Sequence, residues 1–171
     1  MDRWSLFYGT LGTAAAALLG LLFVVVSINA GSALGPSAGA SRRLADQAFQ
    51  NYIAVMMVSY LALFPEIHTT TFGGVTLAST GMWGAWVLIH FVAQAMRDDA
   101  WQMKELWVLR RHLSSVIGFT ILLTSALCFA LDLALPYSWL AAAMLILMFS
   151  ATSVSWDLLR QIANRGGDAG S

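Results

Sequence analysis

Long runs without a charged side chain alternate along this chain with short stretches that hold nearly every charge. The apolar runs span about 6–28, 48–64, 72–95, 113–131 and 137–156. A bilayer core of about 30 Å takes roughly 17 to 25 helical residues, and each run fits. The runs are continuously apolar rather than alternating, so they predict helices and not strands. Pro65 closes the second run and Pro136 opens the fifth, where proline is tolerated at a helix edge. The expectation is an all-α membrane bundle of five transmembrane helices, forming one membrane domain over 1–171.

The connections refine this picture. "AGSALGPSAGASRR", from Ala30 to Arg43, reads as a small-residue linker, with the second helix able to begin as early as Ser41. "PEIHTTT" and "DLALP" are short and demand antiparallel neighbours. The tail from 165 to 171 reads as mobile. No internal repeat is visible, so the inverted-repeat signature of many carriers is missing.

Composition agrees with a membrane location. The chain is 58% hydrophobic and 11% charged over 171 residues, whereas soluble domains carry about 25% charged residues. Net charge is zero, which removes any bulk electrostatic case for nucleic acid. The one cysteine, Cys128, excludes an intrachain disulfide and a multi-cysteine metal site and reads as a small core residue.

Charge placement sets the orientation. With the N-terminus outside and five crossings, Arg42, Arg43, Arg97, Lys104, Arg110, Arg111, Arg160 and Arg165 fall inside, and Arg3 alone falls outside. That is a strong positive-inside bias. Ala38-Gly39-Ala40 offers a signal-peptidase-like site. A cleaved signal, however, has an apolar core of about 7 to 15 residues, shorter than Leu6–Ile28, and would invert the charge pattern. Five retained helices, N-terminus out and C-terminus in, are expected.

Gly9, Gly12, Ala16 and Gly20 make a smooth stripe on the first helix. Small residues let helix backbones approach closely in lipid, either across a homo-oligomeric interface or against another helix of the same chain. "GTAAAALLGLLFVVVSIN" at Gly12–Asn29, the stretch Phe49–Pro65 and "SWDLL" at Ser155–Leu159 resemble a family of small five-span bacterial inner-membrane proteins. Some members are labelled modulators of a membrane-bound ATP-dependent protease. The resemblance implies a bacterial cytoplasmic-membrane location and carries no catalytic residues.

Ionisable groups inside a bilayer are costly and often functional, and the apolar runs hold almost none. His90 is the exception, with Gln94 one turn on and Asn51 among the other polar residues of the inner half. His90 is either a neutral hydrogen-bonded histidine or a proton, metal or haem ligand, with His112 the only candidate second axial ligand. The other inner-half polar groups, Ser27 to Asp157, form either a small pocket or ordinary interfacial polarity. Glu66, His68 and Asp132 sit in the outer connections, as a solvated loop, a divalent-ion site or a pore mouth. The inner loop "RDDAWQMKELWVLRRH" places Trp101, Trp107, Arg110 and Arg111 at the headgroup level, for anchoring or for docking a partner.

No H-E-x-x-H, G-x-S-x-G, phosphate loop or paired intramembrane carboxylate is present. The sequence therefore predicts no catalytic residues, no resident metal or cofactor, and a non-enzymatic accessory or regulatory subunit acting through helix contacts. Its partners would be the lipid bilayer and a homo-oligomer or larger membrane complex. A homo-oligomeric channel lined by Thr120, Thr124 and Cys128 is the alternative, and a haem or metal binder through His90 the next.

Overall fold

The computed structural model describes residues 2–31, 39–64, 68–95, 106–133 and 137–168, without side chains at 2–3, 40, 83–95, 106–113 and 164–168. The described residues are helical and contain no strand. The helices are α1 (Asp2–Ile28), α2 (Gly39–Ala62), α3 (Thr69–Ala95), α4 (Leu106–Ala130) and α5 (Tyr137–Asp168).

Two helices among the described residues are long and apolar enough to cross a membrane. Trp4–Ile28 has a mean hydropathy of 2.4 and Tyr137–Ala163 one of 1.6. Ser114–Ala130 is apolar but shorter. Four helices start earlier than the apolar runs suggest: α1 at Asp2, α2 at Gly39, α3 at Thr69 and α4 at Leu106. α5 keeps helical geometry to Asp168, beyond the point where a tail is expected.

Contacts group the chain into two compact units, 1–63 with 147–171, and 64–146. In the first unit, α1 lies antiparallel to α2: Gly9 sits by Leu63 and Gly12 by Ser59. α2 is also antiparallel to α5, because Ser41 bonds Gln161 and Asn51 bonds Ser150. Buried residues recur at steps of three, four or seven, as Tyr8, Leu11, Ala15, Leu22 and Val26 on α1 and as Leu147, Ala151, Val154, Leu158 and Ile162 on α5. This is the spacing of one helix face turned toward neighbours.

In the second unit, the start of α3 crosses the end of α4. Phe129 lies between Phe72, at 5.9 Å and 66°, and Tyr137, stacked at 5.2 Å and 26°. Both geometries are favoured for aromatic pairs. α4 stops in a Schellman arrangement: Leu133 N–H donates to Cys128 C=O and Asp132 N–H to Phe129 C=O, with Asp132 at φ 54°.

Candidate functional site

The described residues offer helix contacts and buried polar groups rather than a catalytic constellation. The small-residue stripe of α1 is divided in its roles. At Gly12 an added Cβ would lie 2.9 Å from Ser59 Cβ, so only glycine fits beside α2. At Gly9 the nearest atom is Leu63 Cδ1 at 3.8 Å, an ordinary contact. At Gly20 a Cβ would meet nothing within 4 Å, and Ala16 is half-buried. The outer side of α1 carries an open groove lined by Leu6, Gly9, Thr10, Thr13, Ala14 and Ala17.

The tightest crossing lies elsewhere, at Gly73, which the sequence reading did not single out. A Cβ there would fall 2.3 Å from Ala130 N and 2.7 Å from Ala126 O. Its visible signal is "FGG" opening the third run, together with alanines four apart at 126 and 130.

Polar side chains bridge α2 and α5. Asn51, 1% exposed, donates through Nδ2 to Ser150 Oγ at 3.4 Å. Tyr52 OH lies 3.3 Å from Thr152 Oγ1. The Thr152 hydroxyl already donates to Met148 C=O at 2.9 Å, so the tyrosine is the donor. Ser41 Oγ donates to Gln161 Oε1 at 3.1 Å. Of the inner-half polar group named from sequence, Asn51 and Ser115 are buried, whereas Ser27 is exposed.

Hydroxyls on outward faces bond to their own helices. Thr10 donates to Leu6 C=O, Thr13 to Gly9 C=O, Ser79 to Val75 C=O and Ser153 to Phe149 C=O, at 2.8–2.9 Å. Thr80, which is buried, also donates to its own helix, at Thr76 C=O. Thr120 and Thr124, named from sequence as one pore-lining face, donate to Val116 and Thr120 carbonyls. Three buried hydroxyls, on Ser59, Thr76 and Ser125, have no hydrogen-bond partner among the described residues.

His68 and Asp132 are exposed in the second unit. Gly73 touches Ala130, so the start of α3 and the end of α4 lie together, and both residues belong to that end. Among the described residues no three His, Cys, Asp or Glu converge as metal ligands. Glu66 and Trp101 lie outside the described residues. So do the side chains of His90, Gln94, Trp107, Arg110, Arg111 and His112, although their backbones are helical.

Among the described residues, one pair joins a cation to an aromatic ring. Arg160 Cζ stands 5.8 Å from the Trp156 ring centroid, one turn apart on α5. No family model, curated protein or solved structure matches this chain.

Proposed function

We propose that this protein is an integral membrane protein of the bacterial cytoplasmic membrane, with five spans, its N-terminus out and its C-terminus in. It acts without catalysis, as an accessory or regulatory subunit that holds its partners through helix contacts. The observation that carries the membrane reading is the exposure of apolar side chains along its most apolar helices. Leu6, Leu21, Phe23, Val24 and Ile28 on α1 are exposed, and so are Trp139, Leu145, Phe149, Trp156 and Leu159 on α5. Only 28% of the apolar window of α1 and 44% of that of α5 is buried. The core helix of a soluble domain would be mostly buried, whereas a lipid-facing helix keeps apolar groups outward. Self-bonded outward hydroxyls fit the same setting, because lipid supplies no hydrogen-bond partners.

The helix directions fit alternating spans, and the placement of arginines supports the orientation. α1 and α5 both run opposite to α2, as the first, second and fifth of five alternating spans must. Ser41 meets Gln161, so Arg42, Arg43 and Arg160 gather at one end of the first unit. Arg3 lies in the first turn of α1, at the other end. The resemblance of "GTAAAALLGLLFVVVSIN" and "SWDLL" to the small inner-membrane family supports the bacterial cytoplasmic-membrane location.

Two measurements test the reading. With Cys128 replaced by alanine, H68C and D132C should react with an impermeant maleimide in intact cells, and S171C only after the membrane is opened. Labelling of S171C in intact cells, with H68C silent, sinks the orientation. Affinity purification in mild detergent should return a stoichiometric membrane partner, and a chain that elutes alone in every detergent tried sinks the accessory role.

A further inference from the structure

The structure assigns a second feature to α5, and it rests on the membrane reading above: we infer that Arg160, propped on the Trp156 ring, binds the headgroup phosphate of an anionic phospholipid. Trp156 is 59% exposed and Trp139 54% exposed on one helix. They are separated by seventeen residues, or about 26 Å at the rise of an α-helix. That separation is close to the thickness of a hydrocarbon core, about 30 Å. Exposed tryptophans at both edges of an apolar span sit at the headgroup boundary. Arg160 lies one turn beyond Trp156, about 6 Å further along the axis, at the depth of lipid phosphates.

The guanidinium is available to such a ligand. Its distance of 5.8 Å from the indole centroid is within cation–π range. It makes no ion pair or hydrogen bond among the described residues, and its side chain is exposed. A guanidinium attracted to a ring face at this distance keeps its N–H donors free for two phosphate oxygens at once.

Charge at this end favours an anion. The Ser41–Gln161 bond brings the start of α2 to the same height, where Arg42 and Arg43 are exposed. Asp46, exposed, and Asp157, half-buried, oppose them. Three arginines against two aspartates leave a positive excess, and the arginine on the ring is the one positioned by a neighbour. The apolar stripe that ends at Trp156 and Leu159 lies beside the acyl chains of the same lipid. A soluble anion would find no counterpart for that stripe, which selects the lipid as the source of the phosphate.

The test uses the full chain in nanodiscs of equal parts phosphatidylcholine and phosphatidylglycerol. Native mass spectrometry after gentle extraction counts the lipids of each class that stay bound. The wild type should retain phosphatidylglycerol over phosphatidylcholine. Arg160→Gln should lower that preference about fivefold, the effect of one basic residue at an anionic surface. Arg160→Lys should retain part of it, since a point charge remains without the fork, and Trp156→Leu should lower it with the charge intact. An Arg160→Gln chain that inserts and keeps the wild-type preference overturns the assignment. So does displacement of the retained lipid by millimolar inorganic phosphate, which marks a free-anion site. A wild-type chain that does not enter the discs overturns the membrane reading itself.

Discussion

Two glycine pairs, alike in sequence, differ in what surrounds them. Gly73 and Gly74 are neighbours, yet a Cβ at 73 would strike the backbone of α4, and at 74 it would meet nothing within 4 Å. Backbone cannot swing aside as a flexible side chain can. Gly73→Ala should therefore destabilise by about 3 kcal/mol, at the upper end of overpacking costs. Gly74→Ala should be neutral or gain up to about 1 kcal/mol from helix propensity. Thermal unfolding in detergent compares the two, and equal midpoints would remove the close crossing. Gly12 and Gly20 form a parallel pair, with only Gly12 intolerant of alanine. Asp132 is the opposite case, a side chain where glycine suits better. It holds φ 54° at the C′ position of α4, and its carboxylate stands at the negative end of the helix dipole. Asp132→Gly should raise stability by about 0.5–1 kcal/mol. An unchanged or lowered unfolding midpoint would mean that the carboxylate makes a compensating contact.

At the scale of the helices, continuous hydropathy made α1 and α5 legible, because an uninterrupted apolar run has few other outcomes. The start of α4 was less so, whereas that of α2 was read as early as Ser41, two residues inside its first residue Gly39. Arg42, Arg43 and Asp46 break the apolar run, but they are the exposed face of a helix whose other face buries Ser41, Leu44, Ala45 and Ala48. A window that averages hydropathy blends the two faces, whereas a three-to-four residue period separates them. The α1 stripe was legible as small residues, yet spacing could not tell Gly12, pressed on Ser59, from Gly20 in open space. Of the residues that pair α2 with α5, Asn51 alone was among the inner-half polar residues read from sequence, since partners about a hundred positions apart leave no local signal. That pairing carries a prediction. Asn51→Ala removes a donor buried against Ser150 and should cost about 0.6–1.7 kcal/mol, the range for hydrogen bonds between membrane helices. A double-mutant cycle with Ser150→Ala, read by unfolding, should give a positive coupling. Strict additivity would mean that the 3.4 Å contact contributes nothing.

For the whole molecule the decisive matter is what surrounds it, because the same exposed apolar side chains are a liability in water and a requirement in lipid. Packing and helix ends are alike in the two settings, so neither separates them. A charge placed on the outward stripe does, because its effect changes sign. Phe149 is 73% exposed and lies near the middle of the apolar stretch Tyr137–Ala163. In a water-soluble protein, Phe149→Lys would be near neutral and would improve solubility, since an exposed position loses little packing. In a bilayer the ammonium would sit at the centre of a span, at a cost of about 2.5–3.5 kcal/mol on insertion scales. The membrane reading therefore expects Phe149→Lys to fall sharply in the membrane fraction and to unfold at a lower temperature in detergent. Leu159→Lys, also exposed but a few residues from the end of the same stretch, should be much milder, because a lysine there can extend its ammonium to the headgroups. The contrast between the two positions carries the argument, since a general intolerance of lysine on α5 would affect both alike. Equal membrane yields for the two variants, with Phe149→Lys more soluble than the parent chain, would place this face in water and remove the basis for a lipid-facing α5.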